Sequence, residues 1–311
     1  MSEPDYDLVI VGGGTAGMTA GMYASRHGLN SVLLERLMTG GQIINAEKIE
    51  NFPGFPDGIS GAEFGPLLQD QATAQGLEIR LSEVTGLRQQ GPGWQVETMD
   101  GELSSRAVIV TGGSTLRTLG VPGETELHGA GVSYCATCDG AFFVDEVVAV
   151  VGAGDSALDE AITLTEFASS VIVFRRGEQF TGQQVLQGRV TSSPKIEVRD
   201  NTTVTAILGD AQVEGVSVED SESGETSRID LSGVFVYVGL EPNTQYLREL
   251  LPVDNAGHIP TDIWMRTELP GLLAAGDIRQ HSAAQLVSAA GDGATAAIAA
   301  HRYIQGREWA Q

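Results

Sequence analysis

Three things are scarce in this 311-residue chain. Lysine occurs only at Lys48 and Lys195, and Lys+Arg total 18 against 41 Asp+Glu, a formal charge of −23. That balance argues against nucleic acid and against an anionic membrane surface, because polyanionic partners recruit basic patches. Cysteine occurs only at Cys135 and Cys138, too few for the multi-bridge framework of a small secreted protein or for four thiolate ligands to zinc. No stretch approaches the ~18 uninterrupted apolar residues that span a bilayer, and Met1–Asp5 is acidic, without the basic start of a signal peptide. A soluble, cytoplasmic protein without a membrane partner is expected. What is abundant is glycine, 40 residues, within a chain that is 41% hydrophobic. Such a chain can pack a core, and its length suits two domains.

Two segments share one grammar. The first runs through the apolar strand 7–11 into Gly12-Gly13-Gly14-Thr15-Ala16-Gly17, a helical stretch to His27, a stop at Gly28 and a second strand, 31–35. The second runs through 147–151 into Gly152-Ala153-Gly154-Asp155-Ser156-Ala157, a helical stretch to about Phe167 and the strand 171–174. One such glycine turn is weak evidence of a nucleotide site; two in strand–turn–helix context, 140 residues apart, are strong. The first glycine permits the tight turn and the second lets backbone N–H groups approach a pyrophosphate. The third small residue, Gly17 or Ala157, lets helix pack on strand, with the helix N-terminus facing the phosphates. The predicted fold is α/β, with two Rossmann-like, three-layer nucleotide-binding domains.

The second strands end differently. Glu35 can accept hydrogen bonds from a ribose with a free 2′-OH, whereas Arg175 and Arg176 favour a 2′-phosphate, so the second site leans towards NADP. Either end is also readable as a solvated strand terminus. The cysteines lie in Ser133-Tyr134-Cys135-Ala136-Thr137-Cys138-Asp139-Gly140. CxxC spacing permits a small-ring disulfide that opens and closes with two electrons. The other reading, half a zinc site, lacks histidines at paired spacing among His27, His128, His258, His281 and His301, and no metal is expected.

With CATCDG just ahead of a second glycine fingerprint, the chain resembles the low-molecular-weight thioredoxin reductases over essentially its whole length. Gly40-Gly41-Gln42-Ile43, Glu50 to Pro56, Ala274-Ala275-Gly276-Asp277-Ile278 and Ala289-Ala290-Gly291-Asp292-Gly293 match as well. The resemblance implies a FAD domain formed by 1–116 and 245–311, with a pyridine-nucleotide domain, 117–244, inserted in it. It also implies that Gly12, Gly14, Thr15, Ala16 and Gly17 cradle the FAD pyrophosphate and Glu35 its ribose. Gly41, Gln42, Asn51, Gly276, Asp277 and Gln285 would lie along the rest of the flavin. Gly152, Gly154, Asp155, Ser156 and Ala157, with Arg175 and Arg176, would hold NADPH. Electrons would pass from NADPH through FAD to the Cys135–Cys138 disulfide and on to a thioredoxin-like protein. Cys138 would face the flavin, Cys135 would attack the partner, and Asp139 would exchange protons. A homodimer is implied too, as is rotation of the inserted domain about hinges near 116–117 and 244–245.

One departure bears on the donor. The family's HRRxxxR string reads Phe174-Arg175-Arg176-Gly177-Glu178-Gln179-Phe180, and its Tyr-Arg-Gln near the C-terminus reads Ala283-Ala284-Gln285. Each lost charge-assisted phosphate contact weakens binding by ~1.5–3 kcal/mol, one to two orders of magnitude. NADPH remains the expected donor because the second fingerprint is intact; NADH, ferredoxin or another carrier stays open. So does a flavin-bearing redox sensor whose CxxC never turns over. No cysteine follows Cys138 to serve as a further relay.

Overall fold

A computed structural model describes residues 3–307 and Trp309. The chain divides into two compact units, 1–115 with 241–311, and 116–240.

In chain order the first unit contains β1 (Tyr6–Val11), α1 (Thr15–Arg26), β2 (Ser31–Glu35), α2 (Gly61–Thr73), β3 (Glu78–Leu81), β4 (Val84–Gln90), β5 (Gly93–Thr98) and β6 (Gly101–Val110). The crossing to the second unit falls in β7 (Ser114–Leu116). There follow β8 (Val132–Ser133), α3 (Ala136–Asp139), β9 (Val147–Val151), α4 (Asp155–Leu164), β10 (Ser170–Phe174), α5 (Gln184–Ser192) and β11 (Ile196–Arg199). Next come β12 (Thr202–Leu208), β13 (Gly215–Asp220), β14 (Thr226–Asp230) and β15 (Gly233–Val236). The chain returns through β16 (Leu240–Pro242) to β17 (Leu272–Ala274) and α6 (Leu286–Ile304).

In the first unit the sheet order is β3-β2-β1-β6-β5-β4, with β17 also on β6. Strands β3, β2, β1, β6 and β17 pair in parallel, and β4–β5–β6 form an antiparallel meander. The inner parallel strands β1, β2 and β17 and the second half of β6 are near-continuous apolar runs because both faces are covered, whereas the edge strand β3 is largely exposed. Leu8, Ile10, Leu33 and Ile109 pack with Ala16, Ala20 and Ala24 of α1 and Ala296 and Ala300 of α6. Val9, Val11, Val108 and Val110 point the other way, towards Trp94, Leu247 and Leu251.

The second unit has a fully parallel sheet, β11-β10-β9-β15-β8. One face meets α4 through Ala157, Ala161 and Leu164. The opposite face packs on the antiparallel sheet β12-β13-β14 through Val204, Val216 and Val218, so the third layer here is a sheet. The strands at 31–35 and 147–151 coincide with the sequence reading, whereas α4 stops at Leu164 instead of continuing to Phe167. Its last residues bond i to i−3 (Thr165 N–H to Ile162 O, Glu166 N–H to Thr163 O, Phe167 N–H to Leu164 O), the tightened turn with which helices often close. No helix among the described residues is long and apolar enough to cross a membrane.

Candidate functional site

In the first unit the glycine turn after β1 is shaped by close approach. Gly12 holds φ +110°, and a Cβ there would sit 2.6 Å from the Thr111 carbonyl oxygen. At Gly17 a Cβ would lie 1.9 Å from the Gly12 carbonyl oxygen, so α1 and β1 meet where only glycine fits. Gly14 differs: a Cβ there would meet nothing within 4 Å. It is also the N-cap of α1, and no side chain caps the helix. Open space before uncapped N–H groups at Thr15 and Ala16 fits a pyrophosphate.

Glu35, at the end of β2, accepts the Gly13 N–H at 2.7 Å and the Leu37 N–H at 3.0 Å. It therefore braces the glycine turn from the end of β2. The Gly40-Gly41 turn lies against the same cradle, with Gly40 N–H donating to Gly13 O at 2.9 Å. Gln42 donates to the Ser114 carbonyl. Asn51 donates to Gln285 Oε1 at 3.1 Å, joining residues 234 positions apart. Gln285 is also the N-cap of α6, in a capping box with Ser288. Gly276, at φ +80°, puts the AAGD loop against Ala16, and its N–H donates to the buried Asp292 at 3.1 Å. Asp292 further grips Arg279 through two bonds of 2.6 and 2.9 Å. Asp277 accepts from Ser282 at 3.2 Å; burial, aided by the charge of Asp292, pushes its carboxyl above the usual range.

The cradle of the second unit repeats the logic. Gly152 has φ +154°, and a Cβ there would meet the Tyr237 carbonyl oxygen at 2.4 Å. Ala157 is wholly buried, and Gly154 caps α4 without a side-chain bond. Asp155, at the first helical position, accepts from Gln183 backbone N–H and side-chain Nε2 at 2.6 and 2.9 Å, tying the cradle to the segment before α5. Ser156 is exposed beside it. Beyond β10 the two arginines diverge. Arg176 is exposed, whereas Arg175 donates to Asp200 at 2.6 Å and lies 4.0 Å over the Phe180 ring.

In the same unit Cys135 and Cys138 form a closed disulfide with Cα atoms 5.3 Å apart. Cys135 is the N-cap of α3, and the Cys138 N–H points at its sulfur at 3.1 Å. A thiolate on Cys135 would therefore meet a backbone donor, which favours the charged form. Ser133 ties the motif together, accepting the Cys135 N–H at 3.1 Å and donating to Asp139 at 2.6 Å. Cys138 is exposed and Cys135 half-buried. Phe142, four residues after Cys138, is 80% exposed.

Glu160 escaped the sequence reading. From α4 it accepts the Ala136 N–H, the first of α3, at 2.6 Å. Burial raises its carboxyl to about 7, and the same carboxylate, after burial itself, raises the neighbouring Tyr237 phenol. Its place three residues after the buried Ala157 was the available signal. Because the folded-state value lies above the ordinary 4.5, this group favours the folded protein below about pH 4.5 and loses that contribution as pH rises through about 7. Glu160→Gln is expected to remove that slope and to raise stability at pH 8 by on the order of 2 kcal/mol relative to the parent. Urea melts at pH 5 and pH 8 test it; a variant less stable than the parent at pH 8 contradicts it.

Residues 6–294 match the family described as pyridine nucleotide-disulphide oxidoreductase. The chain is 39% identical over 304 residues to a thioredoxin reductase of Mycolicibacterium smegmatis, covering 97% of this chain and 98% of that protein. Its structure is similar to that of Lactococcus lactis thioredoxin reductase, with a TM-score of 0.95 at 39% identity, covering 97% of this chain and 100% of the other. It is also similar to the thioredoxin reductase of T. acidophilum, with a TM-score of 0.92 at 36% identity over 98% and 99% of the two chains.

Proposed function

The chain belongs to the pyridine nucleotide-disulphide oxidoreductase family, and on that premise we propose that it is a thioredoxin-disulfide reductase, carrying electrons from NADPH through FAD and the Cys135–Cys138 disulfide to the disulfide of a thioredoxin-like protein. The observation that carries this reading is a closed CxxC disulfide in a chain with two uncapped glycine cradles. The unit 1–115 with 241–311 is assigned to FAD and the unit 116–240 to the pyridine nucleotide.

When bound, the flavin exchanges a hydride with the nicotinamide and an electron pair with sulfur. The protein supplies the rest. Opening the disulfide with two electrons leaves a sulfur anion at each released position, and at least one needs a proton. Asp139, which accepts the Ser133 hydroxyl at 2.6 Å, is assigned its delivery and return. Cys138 is assigned the exchange with the flavin. Cys135, whose thiolate is favoured by the Cys138 N–H, is assigned the attack on the partner's disulfide. That attack forms a mixed disulfide and releases one partner thiol. Cys138 then displaces the second thiol and closes the internal disulfide again, so electrons and sulfurs balance. Exposed Phe142, four residues after Cys138, is assigned an apolar contact with the partner.

A cytoplasmic, homodimeric enzyme is the form this reading takes: a dithiol that must return to the reduced state each cycle suits a reducing compartment, and the dimer follows from the resemblance alone. The purified protein is expected to be yellow, to bleach on anaerobic addition of NADPH and to sustain reduction of an added thioredoxin. Yellow protein that stays oxidised at millimolar NADPH rejects the donor and points to ferredoxin or another carrier. Bleaching without thioredoxin reduction rejects the reductase in favour of a sensor.

A further inference from the structure

We infer that Asp200 is a specificity-determining residue for the pyridine nucleotide, occupying Arg175 and so narrowing the advantage of NADPH over NADH. This rests on the donor reading above. In a parallel nucleotide-binding sheet the residue just past the second strand of the fingerprint stands at the adenosine 2′ position. Here that strand is β10 and the residue is Arg175. Strand β11 pairs beside it, with Phe174 opposite Arg199, so Arg175 and Asp200 emerge together from neighbouring strand ends.

The two side chains meet at once, Arg175 Nε donating to Asp200 Oδ1 at 2.6 Å. The face of the guanidinium is covered by Phe180 at 4.0 Å, leaving the Arg175 side chain only 11% exposed. An incoming 2′-phosphate therefore finds a cation that is already neutralised, shielded and short of free surface, with a carboxylate beside it. A charge-assisted bond to phosphate would have to displace one to carboxylate, which leaves little net gain. Arg176 is exposed and forms no ion pair among the described residues, so it remains as the cation available to the phosphate. The surrounding unit magnifies the effect: 117–244 holds seven basic against twenty acidic residues. A ribose carrying only a 2′-OH meets none of this repulsion. Asp200 itself is 45% exposed, and its removal leaves the largely buried Arg175 guanidinium without its carboxylate and free to pair with an incoming phosphate.

The test is calorimetric titration of the holoenzyme with NADP+ and with NAD+, for the parent, Asp200→Asn and Asp200→Ala, alongside KM for NADPH and NADH. Freed of its carboxylate, Arg175 is expected to tighten NADP+ by about tenfold in both variants, with NAD+ within about twofold. KM for NADPH should fall in parallel, and kcat should not change. Unchanged or weaker NADP+ binding, which would mean that Asp200 orients Arg175 for the phosphate, overturns the inference while leaving the donor reading intact. An equal gain for both nucleotides also overturns it. No binding of either nucleotide to any of the three proteins removes the donor reading and this inference together.

Discussion

Cys138→Ser is expected to yield a yellow, folded protein that has lost at least about a thousandfold of its thioredoxin-disulfide reductase activity. The substitution is nearly isosteric at an exposed position, and the backbone bonds of the motif, Ala136 N–H to Glu160 and Cys138 N–H to Cys135 Sγ, do not involve the Cys138 sulfur. The fold and the first-unit cradle should therefore be indifferent to it. The chemistry should not be, because a serine oxygen neither forms the internal disulfide nor resolves a mixed one. Cys135→Ser should fail as completely, for lack of the attacking thiolate. The two differ in one readout: Cys138→Ser retains Cys135 and should accumulate a covalent adduct with an activated thioredoxin disulfide, visible on a non-reducing gel, whereas Cys135→Ser should not. Sustained turnover by Cys138→Ser, or an adduct formed equally well through Cys138, would reject the assigned division of labour.

Gly17→Ala is expected to abolish FAD retention, and Gly14→Ala to weaken it while leaving the fold alone. The two glycines sit three residues apart and answer to different constraints. A methyl group at Gly17 would lie 1.9 Å from the Gly12 carbonyl and 2.7 Å from Thr111 Oγ1. That hydroxyl already donates to the Val11 and Gly12 carbonyls at 2.9 Å. Helix α1 must back away from β1, costing about 1–3 kcal/mol of overpacking and dragging the cradle out of shape. At Gly14 a methyl group meets no protein atom within 4 Å, and its φ of −74° suits any residue. Any loss of FAD there reflects a methyl group standing where the pyrophosphate approaches. Cofactor stoichiometry from the visible spectrum, read together with the melting temperature of each apoprotein, separates the two. Gly14→Ala that melts like the parent and retains full FAD would show that the cradle lies elsewhere.

Local features were legible because their causes are local. Strand β1, the turn at Gly12 and helix α1 follow from an apolar run, positive-φ glycine and helix-forming residues within twenty positions, and the second fingerprint repeats them. The helix end was less legible: α4 closes at Leu164 through i→i−3 bonds, although apolar periodicity continues to Phe167. The start of α6 is not set by residue type either. Ala283 and Ala284 are good helix formers, yet Ala284 holds φ +50° and the helix begins only after Gln285.

What sequence determined by itself was the chemistry on offer: two dinucleotide cradles, one CxxC pair, and no third cysteine to complicate it. Spacing along a strand–turn–helix unit is enough to specify such features, because the backbone geometry that uses them spans only a few residues. Tertiary structure decided which charges remain available. Arg175 reads as a phosphate ligand until β11 brings Asp200 to it, and Glu160 reads as a solvated helix residue until α3 sets Ala136 N–H against it. Asn51 and Gln285 meet only because the chain returns to its first unit. Pairing between groups distant in sequence depends on the register of neighbouring strands and the packing of helices. Electrostatic energies change steeply over the few ångströms those contacts set.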